Sequence, residues 1–305
     1  MKNAKKIPLG TKLLYGIADI GLALQQSAVQ FFMLFYLTDV AKISPAIAGT
    51  ALLVSKLTWD MFNDPLFGYL SDRTRSRWGR RRPYMLFAAV PLGLSFWLLF
   101  SLPVGLTGVA AFFAVLGAFL LFDTFHTIVS MAYYAMTAEM TTDYDERTSI
   151  TSIRMMYGVT GYILGAAVTT MIAGLLRDSM GWSERASWST MGLIYGALAA
   201  FVVLVTAFTV RRKPVVNTEP SKVPAFSAIK GTFKNKPFLW LMGVSAIVGL
   251  SFTLITSMLP YYLVYQLDME AQLPFVMLAM LGTVVIFIIP SQKLADKIGK
   301  VCTAQ

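Results

Sequence analysis

Charge, histidine and cysteine are scarce in this sequence. Only 14% of its 305 residues are Asp, Glu, Lys or Arg, whereas soluble domains carry about 25%. That shortfall accompanies 56% hydrophobic residues and a mean hydropathy of +0.62. Together they exclude disordered, coiled-coil, collagen-like and ordinary water-soluble classes. With Cys302 as the single cysteine, neither an internal disulfide nor a thiolate metal cluster can form. His126 is the single histidine, which excludes paired-histidine metal sites and His–His proton relays. No acid, base or metal-ligating groups occur at a spacing that suggests covalent chemistry, so neither an enzyme nor a cofactor is expected.

What is present is long apolar runs. A bilayer-crossing helix needs about 20 such residues, and hydropathy places eight spans at roughly 13–38, 46–71, 84–103, 107–137, 151–176, 188–210, 238–265 and 273–290. The first run, Leu13 to Leu37, exceeds the 7–15 apolar residues of a signal peptide and reads as a membrane helix. Pro214, Pro220 and Pro224 with seven Lys/Arg residues mark 211–237 as a linker. The expected organisation is therefore a six-helix bundle (1–210), a basic linker (211–237) and the first part of a second bundle (238–305).

The positive charges fall unevenly. Of 26 Lys and Arg residues, 21 lie at the N-terminus, after spans two and four, in the linker or in the tail. Only Lys42, Arg177 and Arg185 fall on the other side. This asymmetry predicts cytoplasmic termini in an inner, or plasma, membrane. It also accounts for the net charge of +10 without a nucleic-acid partner; lipid is the expected surroundings.

Charges inside spans are costly and mark functional candidates. The second span carries Lys56, Asp60, Asn63 and Asp64. On an α-helix Asp60 and Asp64 share a face one turn apart, giving hard oxygen ligands for Na⁺ or a carboxylate pair able to share a proton. A structural Lys56–Asp60 ion pair is the competing reading. The fourth span presents Asp123, Thr127, Ser130 and Tyr134 at three- and four-residue steps, a polar stripe on an apolar helix; its His126 reads as a core histidine. Arg154, at the start of span five, is placed to project inward, and Asp19 lies in span one. The acidic segment with Glu139, Asp143 and Arg147 faces the basic loop with Asp72, Arg73, Arg77 and Arg80, a pairing expected to gate or to clamp the cytoplasmic face. A short repeat links Asp72–Gly79–Arg80 with Asp296–Gly299–Lys300, two spans after the start and two after the linker.

The segment Trp59-Asp60-Met-Phe-Asn63-Asp64-Pro65-Leu-Phe-Gly68, continuing through Ser71-Asp72-Arg73 to Gly79-Arg80, resembles the glycoside–pentoside–hexuronide:cation symporters. These are the melibiose-carrier type of the major facilitator superfamily. Ala138-Glu139 through Asp145-Glu146-Arg147-Thr148, followed by Arg154, extends the resemblance. It implies an all-α polytopic protein in which Asp60, Asp64, Asn63 and Thr127 form a cation site. Arg154 and Tyr134 would then line the pocket of a small polar solute, a sugar or glycoside, and Ser130, Asp123 and Asp19 join them as candidates. Ser130 stands where the melibiose carrier has an aspartate and Ala132 where a proline is usual, so the resemblance does not imply melibiose itself. The superfamily also includes sodium-coupled lysophospholipid carriers. Against a two-bundle carrier the chain is expected to lack four spans, and a truncated, non-transporting protein is the alternative.

Overall fold

The computed structural model describes residues 7–209 apart from Arg75, residues 236–283, and residue 286; the side chains of Asp60, Met61, Asp72 and Ala271 fall outside that description. The expected linker, as far as residue 235, and the second copy of the short repeat at 293–300 also lie outside it. Helices α1 (Leu9–Gly16) and α2 (Ala18–Phe35) run through a π turn, Tyr36–Val40, as one span. Then follow α3 (Pro45–Ser55), α4 (Met61–Arg73), α5 (Arg82–Leu99), α6 (Gly108–Met140), α7 (Tyr144–Met180), α8 (Glu184–Thr209), α9 (Lys236–Tyr261) and α10 (Leu273–Thr283). No strand occurs among the described residues.

Among the described residues six helical segments are long and apolar enough to cross a membrane; the chain is an all-helical integral membrane protein. The expected second span is the instructive departure. It exists as α3 and α4 joined by a π turn over Lys56–Asp60, with Pro65 inside α4. A π turn pairs residues five apart, whereas an α-helix pairs residues four apart. The step from Lys56 to Asp60 is therefore not the single α-helical turn that an unbroken span would give.

Helix ends follow local chemistry. The Asp143 carboxylate caps α7 by accepting from the Asp145 and Glu146 amides at 2.9 and 3.0 Å. Gly181, at φ 68°, closes the other end. Proline opens α3 and α5, where a missing amide hydrogen costs nothing.

Burial of apolar side chains does not drive helices together inside lipid; close backbone approach does. Gly161 and Gly165 of α7 sit against α2, and a Cβ at either would lie 2.4 Å from the Ile20 or Leu24 carbonyl oxygen. Gly93 of α5 and Gly196 of α8 meet with equally little room. These glycines let α2 pack on α7 and α5 on α8. Outward, Phe87, Val109, Phe113 and Phe201 stay exposed, as a lipid-facing surface requires.

Candidate functional site

On α4 and α6 the polar side chains interlock. The Asn63 amide nitrogen donates to the Asp123 carboxylate at 3.1 Å, and Thr127 donates to Asp64 at 3.3 Å. Asn63 is fully buried, and its carbonyl oxygen has no partner. The bond to Asp123 explains this: it orients the amide so that nitrogen, the donor, faces the acid and oxygen is left free. An unsatisfied buried oxygen on the residue next to Asp64, whose carboxylate accepts from Thr127, supplies hard oxygen donors of the kind a small cation takes. Among the described residues no cluster of three His, Cys, Asp or Glu gathers, so the oxygen donors are of mixed type. Trp59 donates to Thr124 at 2.8 Å and ties the π turn to α6. The Lys56 ammonium lies 5.5 Å from the centre of the Phe119 ring.

Asp19, Tyr134 and Arg154 come together in a second cluster. Arg154 Nε donates to Asp19 Oδ2 at 3.0 Å, and the Tyr133 hydroxyl donates to the same oxygen at 2.8 Å. The guanidinium lies 4.6 Å from the ring centres of both Tyr133 and Tyr134. Its other arm donates to Thr137 at 2.9 Å, and the Tyr15 hydroxyl, which also bonds Thr137, donates to the Tyr133 carbonyl. Sequence reading missed Tyr15, Tyr133 and Thr137. Tyr133 adjoins Tyr134, and Thr137 lies three residues beyond it on the same helix face, which was the available signal.

Two substrate candidates go elsewhere. Asp123 turns to Asn63, and Ser130 donates to the Thr127 carbonyl of its own helix at 3.3 Å. His126 packs against Phe122, with ring centres 5.5 Å apart.

The proposed gating residues also divide. Arg80 and Arg81 both donate to Glu139 at 2.9 Å. Asp143 instead caps α7, Arg147 donates to the Thr141 carbonyl, and Arg73 and Arg77 lie over the rings of Tyr69 and Trp78. Lys12 pairs with Glu146 at 3.0 Å. All of these ties lie between residues 12 and 147. At the opposite end of α5, Arg185 donates to the carbonyls of Ser101 and Leu102. Near that end a cavity of about 560 Å³, lined by Phe35, Trp188, Arg177, Asp268, Glu270 and Phe275 among others, lies between α7, α8 and the start of α10.

A family profile described as MFS/sugar transport protein matches residues 14–304. The chain belongs to this family. Its members are transporters rather than enzymes. An uncharacterized symporter of Synechocystis sp. is 36% identical over 69% of this chain and 39% of its own length. The isoprimeverose transporter of Lactiplantibacillus pentosus is 27% identical over 96% of this chain and 60% of its own. A sodium-dependent lysophosphatidylcholine symporter of Mus musculus is 26% identical over 92% and 58%. The chain thus spans less than two thirds of the length of these relatives.

Proposed function

We propose that this family member serves in cation-coupled symport of a sugar or glycoside by alternating access, in an inner or plasma membrane with cytoplasmic termini. One observation carries the reading. The polar stripe of α6 joins the two clusters: Thr127 bonds Asp64 in the oxygen set, while Tyr134, seven residues on, flanks Arg154. Seven residues of α-helix span about 10 Å, so a cation at one cluster and a solute at the other would bear on the same rigid helix. Occupation of both would favour one carrier state over the other by differential affinity. The coupling ion is Na⁺ or H⁺, held by Asp64, Asn63 and Thr127, with Asp60 as the further carboxylate of that segment.

Two relatives divide the solute between a sugar and a lysophospholipid. Arg154 favours the sugar: Asp19 already neutralises it, and its two flanking tyrosine rings offer flat apolar faces and hydroxyls. A phosphate headgroup calls for an arginine without such a partner. The test is uptake of a panel of glycosides and one lysophospholipid into proteoliposomes, with and without inward Na⁺ and proton gradients. Gradient-stimulated entry of a glycoside is the expected result. Stimulated entry of the lysophospholipid alone overturns the sugar reading, and no stimulated entry of anything favours a chain that does not transport unaided.

A further inference from the structure

A cavity of about 560 Å³ lies between the last turns of α7, the start of α8 and the start of α10, and neither polar cluster uses it. Its size falls in the range of small-molecule pockets, roughly 300–1,000 Å³. Along α2, Asp19 of the arginine cluster and Phe35 of the cavity wall are about 24 Å apart at 1.5 Å per residue. On α7, Arg154 sits near the start and Arg177 in the last turn. The cavity is therefore a separate place, at the end opposite the basic loops.

Its floor is aromatic and braced. Trp188, only 4% exposed, stacks on Phe100 with ring centres 6.1 Å apart. It also meets Phe32, Phe35 and Tyr36 at 6.1, 6.3 and 5.9 Å. Rings that hold one another in place leave a ligand little to reorganise on binding. Trp188 and Phe35 line this floor, and the Thr170 hydroxyl, also in the lining, is buried without a partner.

The rim is acidic. Arg177 is the one cation of the lining, and it already pairs with Asp178 and Glu270, each at 2.9 Å. The exposed side chains of Glu184 and Asp268 receive no hydrogen bond or ion pair from any described residue. Arg185, beside Glu184, turns instead to the carbonyls of Ser101 and Leu102. Four carboxylates against one guanidinium leave the lining with three uncompensated negative charges. Glu184 and Trp188, four apart on α8, share one face of that helix.

The lining selects a ligand by exclusion and by fit. Among the described residues no three acids gather as a metal ion requires; these carboxylates are spread along the rim. A phosphate would meet like charge, and a neutral sugar would cover the acids without compensating them. A cation with an apolar body satisfies both parts, since aromatic faces attract ammonium groups and carboxylates pair with them. We propose that the cavity binds an organic cation, a protonated or quaternary amine with a cyclic apolar body, apart from the solute and coupling-ion clusters. The body lies against Phe35 and Trp188, and the ammonium faces Glu184 and Asp268.

The test is calorimetric titration of the full chain, in a non-ionic detergent, with benzyltrimethylammonium. Saturable binding is expected. Glu184→Gln with Asp268→Asn should weaken it about tenfold, the combined effect of two solvent-exposed charge pairs. Asparagine is the choice at Asp268 because the backbone there has φ 51°, which asparagine tolerates. Gly174→Phe fills the cavity from its wall, since Gly174 lines it and an added Cβ would meet nothing within 4 Å. This variant should abolish binding while melting close to the native temperature; if it unfolds, the charge variant decides alone. Benzyl alcohol, the ring without the charge, should bind about tenfold more weakly or worse. Absence of saturable ammonium binding overturns the site, as does equal binding of benzyl alcohol. Binding left intact by the charge variant overturns it too, and so does tighter binding of methyl glucoside that Gly174→Phe removes. None of these readouts requires transport, so the site stands or falls separately from the symport reading.

Discussion

Arg154 and Asp19, 135 residues apart in sequence, meet at 3.0 Å, with the two hydroxyl-bearing neighbours Tyr133 and Thr137 sharing the same network. Their side chains keep only 14% and 10% exposure. A pair this buried is held by each partner's need of the other: desolvation makes either charge costly alone.

Removing one member should therefore cost more than removing both. Arg154→Gln or Asp19→Asn alone is expected to destabilise the protein by about 3–5 kcal/mol, the range for breaking a buried ion pair. The double variant should regain much of that stability while still failing to bind solute. Thermal unfolding in detergent, paired with solute binding by calorimetry, separates the two effects. A loss in the double variant equal to the sum of the two single losses would show that the pair is not coupled.

Asn63 offers the sharpest probe of cation coupling. Asn63→Ala removes both the bond to Asp123 and the buried carbonyl oxygen; Na⁺ or proton stimulation of uptake should fall at least about tenfold, the effect of losing one hydrogen-bonding or ligating group of ordinary strength. Thr127→Val should act in the same direction through Asp64. Titration of uptake against Na⁺ and against pH gives the measurement, and unaltered stimulation in both variants argues against this oxygen set.

Backbone proximity at Gly161 and Gly165 leaves no room for even a methyl group. Gly161→Ala is expected to destabilise by about 1–3 kcal/mol, the usual cost of overpacking, because the obstructing atom is the Ile20 carbonyl oxygen rather than a movable side-chain tip. At Gly174, on the same helix, an added Cβ would meet nothing within 4 Å. Alanine there should be neutral or slightly stabilising, as it is a better helix former. Melting temperatures of the two variants in one detergent decide the comparison.

Glu139 of α6 receives both Arg80 and Arg81. Glu139→Gln should lower stability by about 1–3 kcal/mol, as for a charged hydrogen-bond acceptor lost from a partly buried site. Thermal unfolding in detergent measures that loss, and an unchanged melting temperature argues against the two pairings.

Much of the fold was legible because lipid imposes one solution on an apolar chain. With no water to satisfy backbone amides, each long apolar run must be helical, and the runs alone located α5, α6, α8 and α9 within a few residues, whereas α7 starts earlier, at Tyr144, in the polar segment that its Asp143 cap opens. The second span was legible as a span but not as α–π–α, since hydrophobic periodicity registers where side chains fall and is blind to a local change from four- to five-residue hydrogen bonding. The site was half legible. Polar residues in apolar helices stood out singly, yet whether Asp123 serves Arg154 or Asn63 depends on how α6 is turned against α4 and α7, which a single helix does not encode.

The sequence by itself determined that this is a polytopic helical membrane protein with one strongly basic side, because burying charge in hydrocarbon is costly enough to dominate composition and loop placement. It also displayed the acids and amide of the α4 segment. Only the tertiary structure decided which partners those groups take, that the basic loop meets Glu139 of α6, and that α2 packs against α9. Those are distances between residues that lie far apart along the chain, set by glycine-lined helix crossings and not by any local preference.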